Sequence, residues 1–282
     1  MLSKDHNQNE TNMQSSDSSD KPGPDTATDA PVEVSPISDF WRALALLSRV
    51  PVKGIEDFRA EVIARSVWSW PLVGLLLAGF AMLPAMLVYS LTANILIFAI
   101  VALAGMVLLT GSMHEDGIAD CADGFGGGFE HARKLEIMRD SQIGTYGVVA
   151  LILCFGLRLI LLSAAGDAGQ AAILFLVMAI TSRAAMPVVM HILPPARADG
   201  LGKGAGTPNL MMVGLGVGLA LILSLVLSGL FATMAILMGG LLAVGIVAAV
   251  AKWQIGGQTG DVLGATQIVT ELFVGIAFIA AL

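Results

Sequence analysis

The sequence predicts an all-α fold, a polytopic integral membrane protein, and three observations carry that prediction. Of 282 residues, 56% are hydrophobic and 13% charged, with a mean hydropathy of +0.80. A soluble domain of this size carries roughly 25% charged residues, so the excess apolar surface needs lipid as its solvent. About seven apolar stretches, near 68–90, 93–113, 146–165, 170–192, 210–230, 232–251 and 264–282, have the length of a transmembrane helix. Each approaches the ~20 residues that cross ~30 Å of hydrocarbon. The short alternating segments of a barrel are not visible.

The chain opens on residues 1–36, which hold Asp5, Glu10, Asp17, Asp20, Asp25, Asp29 and Glu33 against two lysines. This stretch accounts for most of the net charge of −7. It is rich in Ser, Asn, Asp and Pro and has little to bury, so a disordered acidic tail is expected, followed by one membrane-embedded domain over 37–282. It lacks the basic start and apolar run of a signal peptide. Residues 38–52, SDFWRALALLSRVPV, are too short to span and read as an interfacial or re-entrant helix. Trp41 and Arg42 are expected at headgroup depth, with Pro51 ending the helix.

With seven spans, the connections 114–145, 193–209 and 252–263 share one side. They carry Arg133, Lys134, Arg139, Arg197, Lys203 and Lys252, whereas the opposing connections carry no Lys or Arg. Basic loops stay cytoplasmic, so the three long loops are expected to face the cytoplasm. Cys121 and Cys154 are too few and too far apart for a disulfide framework or a zinc ribbon and read as packing residues. Gly214-x-Gly216-x-Gly218 follows no strand, so it reads as close helix packing and not as a nucleotide fingerprint.

The polar centre is 110–147, TGSMHEDGIADCADGFGGGFEHARKLEIMRDSQIGTYG. Asp116, Asp120 and Asp123 lie at i, i+4 and i+7, so on a helix they share a face, with Glu115 adjacent. Three such carboxylates repel one another unless a cation or proton sits among them. A hard cation relieves that repulsion, and Mg²⁺ takes one or two carboxylates and completes its shell with water and substrate phosphates. A solvated acidic loop is the plain alternative. His114 reads equally as a general base or as an interfacial residue. Gly124-Phe125-Gly126-Gly127-Gly128 reads as a hinge whose N–H groups could wrap a phosphate. Arg133, Lys134 and Arg139 suit charge neutralisation in phosphoryl transfer. Lys134 reads as well as a membrane anchor.

A second polar loop, 194–207, brings Arg197, Asp199 and Lys203. A third, 252–271, brings Asp261 to the membrane face of Asp116 and sets Glu271 about two turns inside the last span, where an ionisable residue is a functional candidate. Arg183 stands close enough to that face to reach the acidic centre, and Arg158 is a candidate partner for Glu271.

The run from His114 to Gly128, the run Glu136-Ile137-Met138-Arg139-Asp140-Ser141 with Ile143-Gly144-Thr145-Tyr146-Gly147, the loop Asp199-Gly200-Leu201-Gly202, and Gly260-Asp261 with Gly264-Ala265 resemble the cobalamin synthase family, the adenosylcobinamide-GDP ribazoletransferases. The leading Ala43-Leu44, Leu46-Leu47, Arg49 and Pro51 fit as well, and the resemblance covers 39–282. It implies transfer of phosphocobinamide from adenosylcobinamide-GDP to the 3′-hydroxyl of α-ribazole or its 5′-phosphate, with loss of GMP, in the inner membrane of a bacterium. It implies Mg²⁺ held by Asp116, Asp120 and Asp123, with Glu115 or Asp261 completing the set. His114 or Asp261 takes the proton of the attacking hydroxyl. Arg139 with Asp140, Arg183, Arg197 and Lys203 are the candidates for binding substrate. Self-association around a large corrinoid site is left open, and nothing points to nucleic acid. Two other readings are a CDP-alcohol phosphotransferase, whose motif places Arg where Asp120 stands, and a secondary transporter, which would carry its polar groups at mid-membrane.

Overall fold

The computed structural model describes residues 35–55, 57–197, 200 and 204–282. Residues 1–34, which make up nearly all of the expected acidic tail, lie outside the described residues, as do Asp199, Leu201, Gly202 and Lys203. Among the described residues the chain is helical, with one isolated bridge between Pro195 and Gln258. The elements are α1 (Pro36–Leu47), α2 (Ala60–Ser66, continued by a 3-10 turn), α3 (Trp70–Thr92), α4 (Ile95–Thr110), α5 (Met113–Gly127), α6 (His131–Ile137), α7 (Thr145–Ala164), α8 (Ala168–Ile192), α9 (Leu210–Ile255) and α10 (Gly260–Ala280).

Ser35 begins α1 with a reciprocal capping box, and Pro36 stands in its first turn, where its missing N–H costs nothing. The helix ends at Leu47, four residues before Pro51: the Ser48 hydroxyl donates to Leu44 O and accepts from Val50 N, and this local bonding stops the helix before the proline. Trp41 is exposed, whereas Arg42 is buried instead of lying among headgroups. Its guanidinium is held by Asp39 at 3.3 Å and by Asp57 O at 2.9 Å, and Arg65 reaches the same Asp39 at 2.7 Å.

Five helices among the described residues are long and apolar enough to cross a membrane, or six if α4 and α5 count as one broken span. The difference from about seven lies in two places. First, α4 has 16 residues and leads into α5 at an angle of 88°. Gly111 and Ser112 both take left-handed backbone, with φ of 66° and 60°, and two such residues in succession break the helix. We read α5 as lying outside the spans, turned across the end of α4. Second, the stretches expected at 210–230 and 232–251 form one helical element whose backbone is non-helical only at Gly229 (φ 77°, ψ 175°). Val217 and Ala220 line the same cavity, of about 100 Å³, as Leu237 and Gly240. In a straight helix at 1.5 Å per residue they would stand about 30 Å apart, so the chain folds back at Gly229.

α8 is the most enclosed span and packs against α3, α9 and α10. The outer surface is the reverse of a soluble protein: Leu91, Leu108 and Phe231 are 78%, 77% and 81% exposed. A surface of that kind is stable only in lipid, and the protein is a multi-pass membrane protein. α5 rests on α10 and α7, so the polar motif lies against the last span.

Candidate active site

The motif His114–Gly128 is helical through Gly127, so its glycines do not form the expected hinge. Gly124 and Gly126 are closely packed instead, a Cβ on each standing respectively 3.0 Å from Lys134 O and 2.8 Å from the Tyr146 ring, and Gly117 is packed more closely still against backbone. A Cβ on Gly117 would stand 2.7 Å from Asp261 O and 3.1 Å from the Cα of Gly264, and the Gly264 Cβ site lies 3.2 Å from the Cα of Gly117. With no side chain on either helix at this crossing, α5 and α10 touch backbone to backbone. The first turn of α10, with Asp261, is thereby brought beside Asp116 and Asp120.

The loop before α10 is strapped down as well. Ala196 N donates to Gln258 O and Gln258 N to Pro194 O, each at 2.8 Å. This short ladder aims Arg197 at Asp261, with Nη2 2.5 Å from Oδ2. The Thr259 hydroxyl donates to the same oxygen at 3.1 Å and also caps α10 by accepting from Val262 N. Thr259 escaped the sequence reading, although a Thr just before an apolar helical run is a recognisable start signal. Among the described residues Oδ1 of Asp261 accepts no hydrogen bond, and neither do the carboxylates of Asp116 and Asp120.

The carboxylates of the motif part into three groups. Asp116 is exposed and Asp120 half-buried, both facing Asp261. Asp123 turns to α7 and is largely buried: Oδ2 accepts from Gly144 N at 2.7 Å and Oδ1 from Gly147 N at 2.9 Å, so it caps that helix. Glu115 points inward to a buried ion cluster, where Oε1 receives both terminal nitrogens of Arg158 at 3.1 Å. Arg158 also meets Glu271 Oε2 at 3.2 Å, the pairing suggested by the sequence, and Gln267 donates to Glu271. Arg183 is not at the acidic face; it is fully buried, 3.8 Å from Glu271, and donates to Ala179 O. Arg139 and Asp140 are exposed in the turn after α6, with Asp140 accepting from Gln142 N. Lys203 lies outside the described residues. Lys134 is buried and donates to Gln254.

A cavity of about 140 Å³ opens beside the acidic group. His114, Asp116 and Asp261 form one wall, and Leu47, Ile63, Trp70 and Met186 face them.

Asp120 is pushed from its ordinary 3.8 up to about 7, by burial first and then by the charges of Asp116, Asp261 and Asp123, against the opposing pull of Arg197. The folded chain holds this proton more tightly than the unfolded chain. Its contribution therefore favours folding at low pH and is lost as the pH rises from about 4 towards about 7. Thermal unfolding in detergent, followed across that window, should show the midpoint of the wild type falling relative to Asp120→Asn. A constant difference between the two would refute this account of the carboxylate.

Among the described residues no three His, Cys, Asp or Glu side chains are grouped closely enough to hold a metal by themselves. The donors that do gather are hard oxygens, which suits a cation whose shell is completed by phosphate oxygens and water more than an all-protein cage.

The family profile described as Cobalamin-5-phosphate synthase matches residues 39–279. Three similar curated proteins are each named adenosylcobinamide-GDP ribazoletransferase. That of Sinorhizobium medicae is 42% identical over 254 residues, covering 84% of this chain and 96% of the relative. That of Bradyrhizobium diazoefficiens is 41% identical over 242 residues, with 84% and 92% covered, and that of Mesorhizobium japonicum 39% over 251 residues, with 84% and 91% covered. No solved structure matches the chain.

Proposed function

The chain belongs to the cobalamin-5-phosphate synthase family, and from that premise we propose that it transfers phosphocobinamide from adenosylcobinamide-GDP to the 3′-hydroxyl of α-ribazole or its 5′-phosphate. The new bond joins that oxygen to the phosphorus bearing cobinamide, the bond from this phosphorus to the bridging oxygen breaks, and GMP leaves with the electron pair. The observation that carries the reading is the gathering of Asp116, Asp120 and Asp261, with Arg197, at one membrane boundary beside a cavity large enough for part of a substrate.

Asp116 and Asp120 are assigned to Mg²⁺, which when bound would neutralise charge on the diphosphate. Arg197 holds Asp261 in place and lies within reach of a phosphate oxygen, where a guanidinium can bind in bidentate fashion. Asp261, with Oδ1 open, is assigned the proton of the attacking hydroxyl. His114 is almost fully enclosed, which suits contact with bound substrate better than exchange of protons with water. Arg139 and Lys203 remain assigned to substrate phosphates, and Asp140 to another part of the substrate. Asp123 and Glu115 support the site by fixing α5 against α7 and the buried cluster. The polar face is assigned to the cytoplasm on the charge of its loops, and the membrane to the inner membrane of a bacterium.

The test uses the full chain in liposomes with adenosylcobinamide-GDP and α-ribazole 5′-phosphate, with Mg²⁺ or with EDTA. GMP release that requires both acceptor and metal is the expected result. Release without acceptor, turnover of CDP-activated alcohols in its place, or solute flux without phosphorylated substrate would overturn the assignment.

A further inference from the structure

Resting on that reading, the geometry points to the cavity beneath the acidic group as the seat of the acceptor's benzimidazole base, held against the side chains of Ile63, Trp70 and Met186 with a ring nitrogen of His114 as its polar contact. Three observations support it. The cavity, about 140 Å³, is continuous with the site, since Asp116 and Asp261 line it themselves. Its opposite wall is apolar and comes from α1, α2, α3 and α8. His114 also lines it and is 2% exposed; its Nε2 has no hydrogen-bond partner and is closed off from solvent, so a ligand pairs with it once the imidazole turns toward the cavity. A buried polar atom left unpaired is costly, so a ligand group that pairs with the imidazole would recover free energy on binding.

The chemistry of the wall selects among the parts of the two substrates. A corrin ring carries amide side chains all around its edge, and this wall offers apolar side chains where those amides would need partners. Guanine presents donors and acceptors along two edges, and the apolar side chains of Leu47, Ile63, Trp70 and Met186 would leave one of those edges unpaired. The benzimidazole of ribazole is flat and apolar, and apart from the nitrogen bonded to the sugar it has a single free ring nitrogen. That inventory matches one imidazole set in an apolar slot. With the base seated there, the attached ribose lies at the mouth beside Asp116 and Asp261, where its 3′-hydroxyl has to be for transfer. On this view α1 and α2 help form the acceptor site, which gives the short helices before the first span a role in specificity.

The test varies Ile63, which contributes only to the apolar wall, in liposome-embedded full chain. Ile63→Trp fills the slot and Ile63→Ala removes contact with the base. Each should raise the KM for α-ribazole by roughly tenfold or more, as a change of a few methylene groups in a binding pocket does. The KM for adenosylcobinamide-GDP should stay within about twofold. Equilibrium dialysis of α-ribazole alone against the protein should show the same loss of affinity. A shift confined to the donor's KM would place part of the donor in the cavity and overturn the proposal, and so would unchanged KM values in both variants. These outcomes presuppose a wild type that releases GMP from donor and acceptor. A wild type that does not would defeat the proposed function itself, so the two failures are distinct.

Discussion

Asp116→Asn is expected to slow GMP release by about 10²- to 10³-fold, the effect of removing one group aimed at developing charge in a transition state. The chain should keep or slightly raise its unfolding temperature. The side chain is exposed and has no hydrogen bond or ion pair among the described residues, so the fold gains nothing from its charge. It stands instead among Asp120 and Asp261, where removing one negative charge relieves repulsion. A carboxylate that burdens the fold in this way is retained for what it binds. Asp123→Asn should behave in the opposite manner. It would lose part of the cap on α7, costing roughly 1 kcal/mol of stability, and any loss of activity should follow from that displacement. Turnover measured beside a thermal melt separates the two. Full activity in Asp116→Asn, or an unchanged melt in Asp123→Asn, would sink this division of labour.

That division was only half legible in the sequence. The spacing of Asp116, Asp120 and Asp123 announced a helix with acids on one face, and α5 is that helix. What periodicity could not show is that Asp123 sits close enough to the end of α7 to become its cap, because the contact joins residues 21 and 24 positions apart. Asp261 was legible by its membrane level, yet its neighbour Arg197 reaches it through a two-bond ladder between loops, and no local pattern encodes that. The glycines of the motif were misread as a hinge for a related reason. A glycine kept for close approach and one kept for a turn look alike in a sequence, and only the neighbouring backbone tells them apart. The Gly111–Ser112 bend is harder still, since a left-handed Ser carries no sequence mark. Composition, by contrast, settles solvent preference residue by residue, so the membrane class was readable from the start.

Arg158→Met is expected to destabilise the protein by roughly 3–5 kcal/mol, the cost of leaving buried charge without its partner. The guanidinium is 2% exposed, joins Glu115 to Glu271, and stacks 4.6 Å over the ring of Phe155. Together with Arg183 the cluster holds two positive and two negative groups, so deleting Arg158 leaves one negative charge in excess within the apolar core. Neutrality can be restored by a second change. Glu115→Gln combined with Arg158→Met should recover most of the lost stability, although each single substitution is destabilising, and a double-mutant cycle measures that coupling. The double variant also decides what Glu115 does. If its carboxylate serves only to tie α5 to α7 and α10, the rescued protein should turn over at a rate close to the wild type, because Asp116, Asp120 and Asp261 are untouched. A double variant that folds as well as the wild type but is inactive would move Glu115 from the supporting cluster into the metal site. Additive losses in the cycle would show that the four charges do not act together, and the buried cluster could then no longer be what positions the acidic helix.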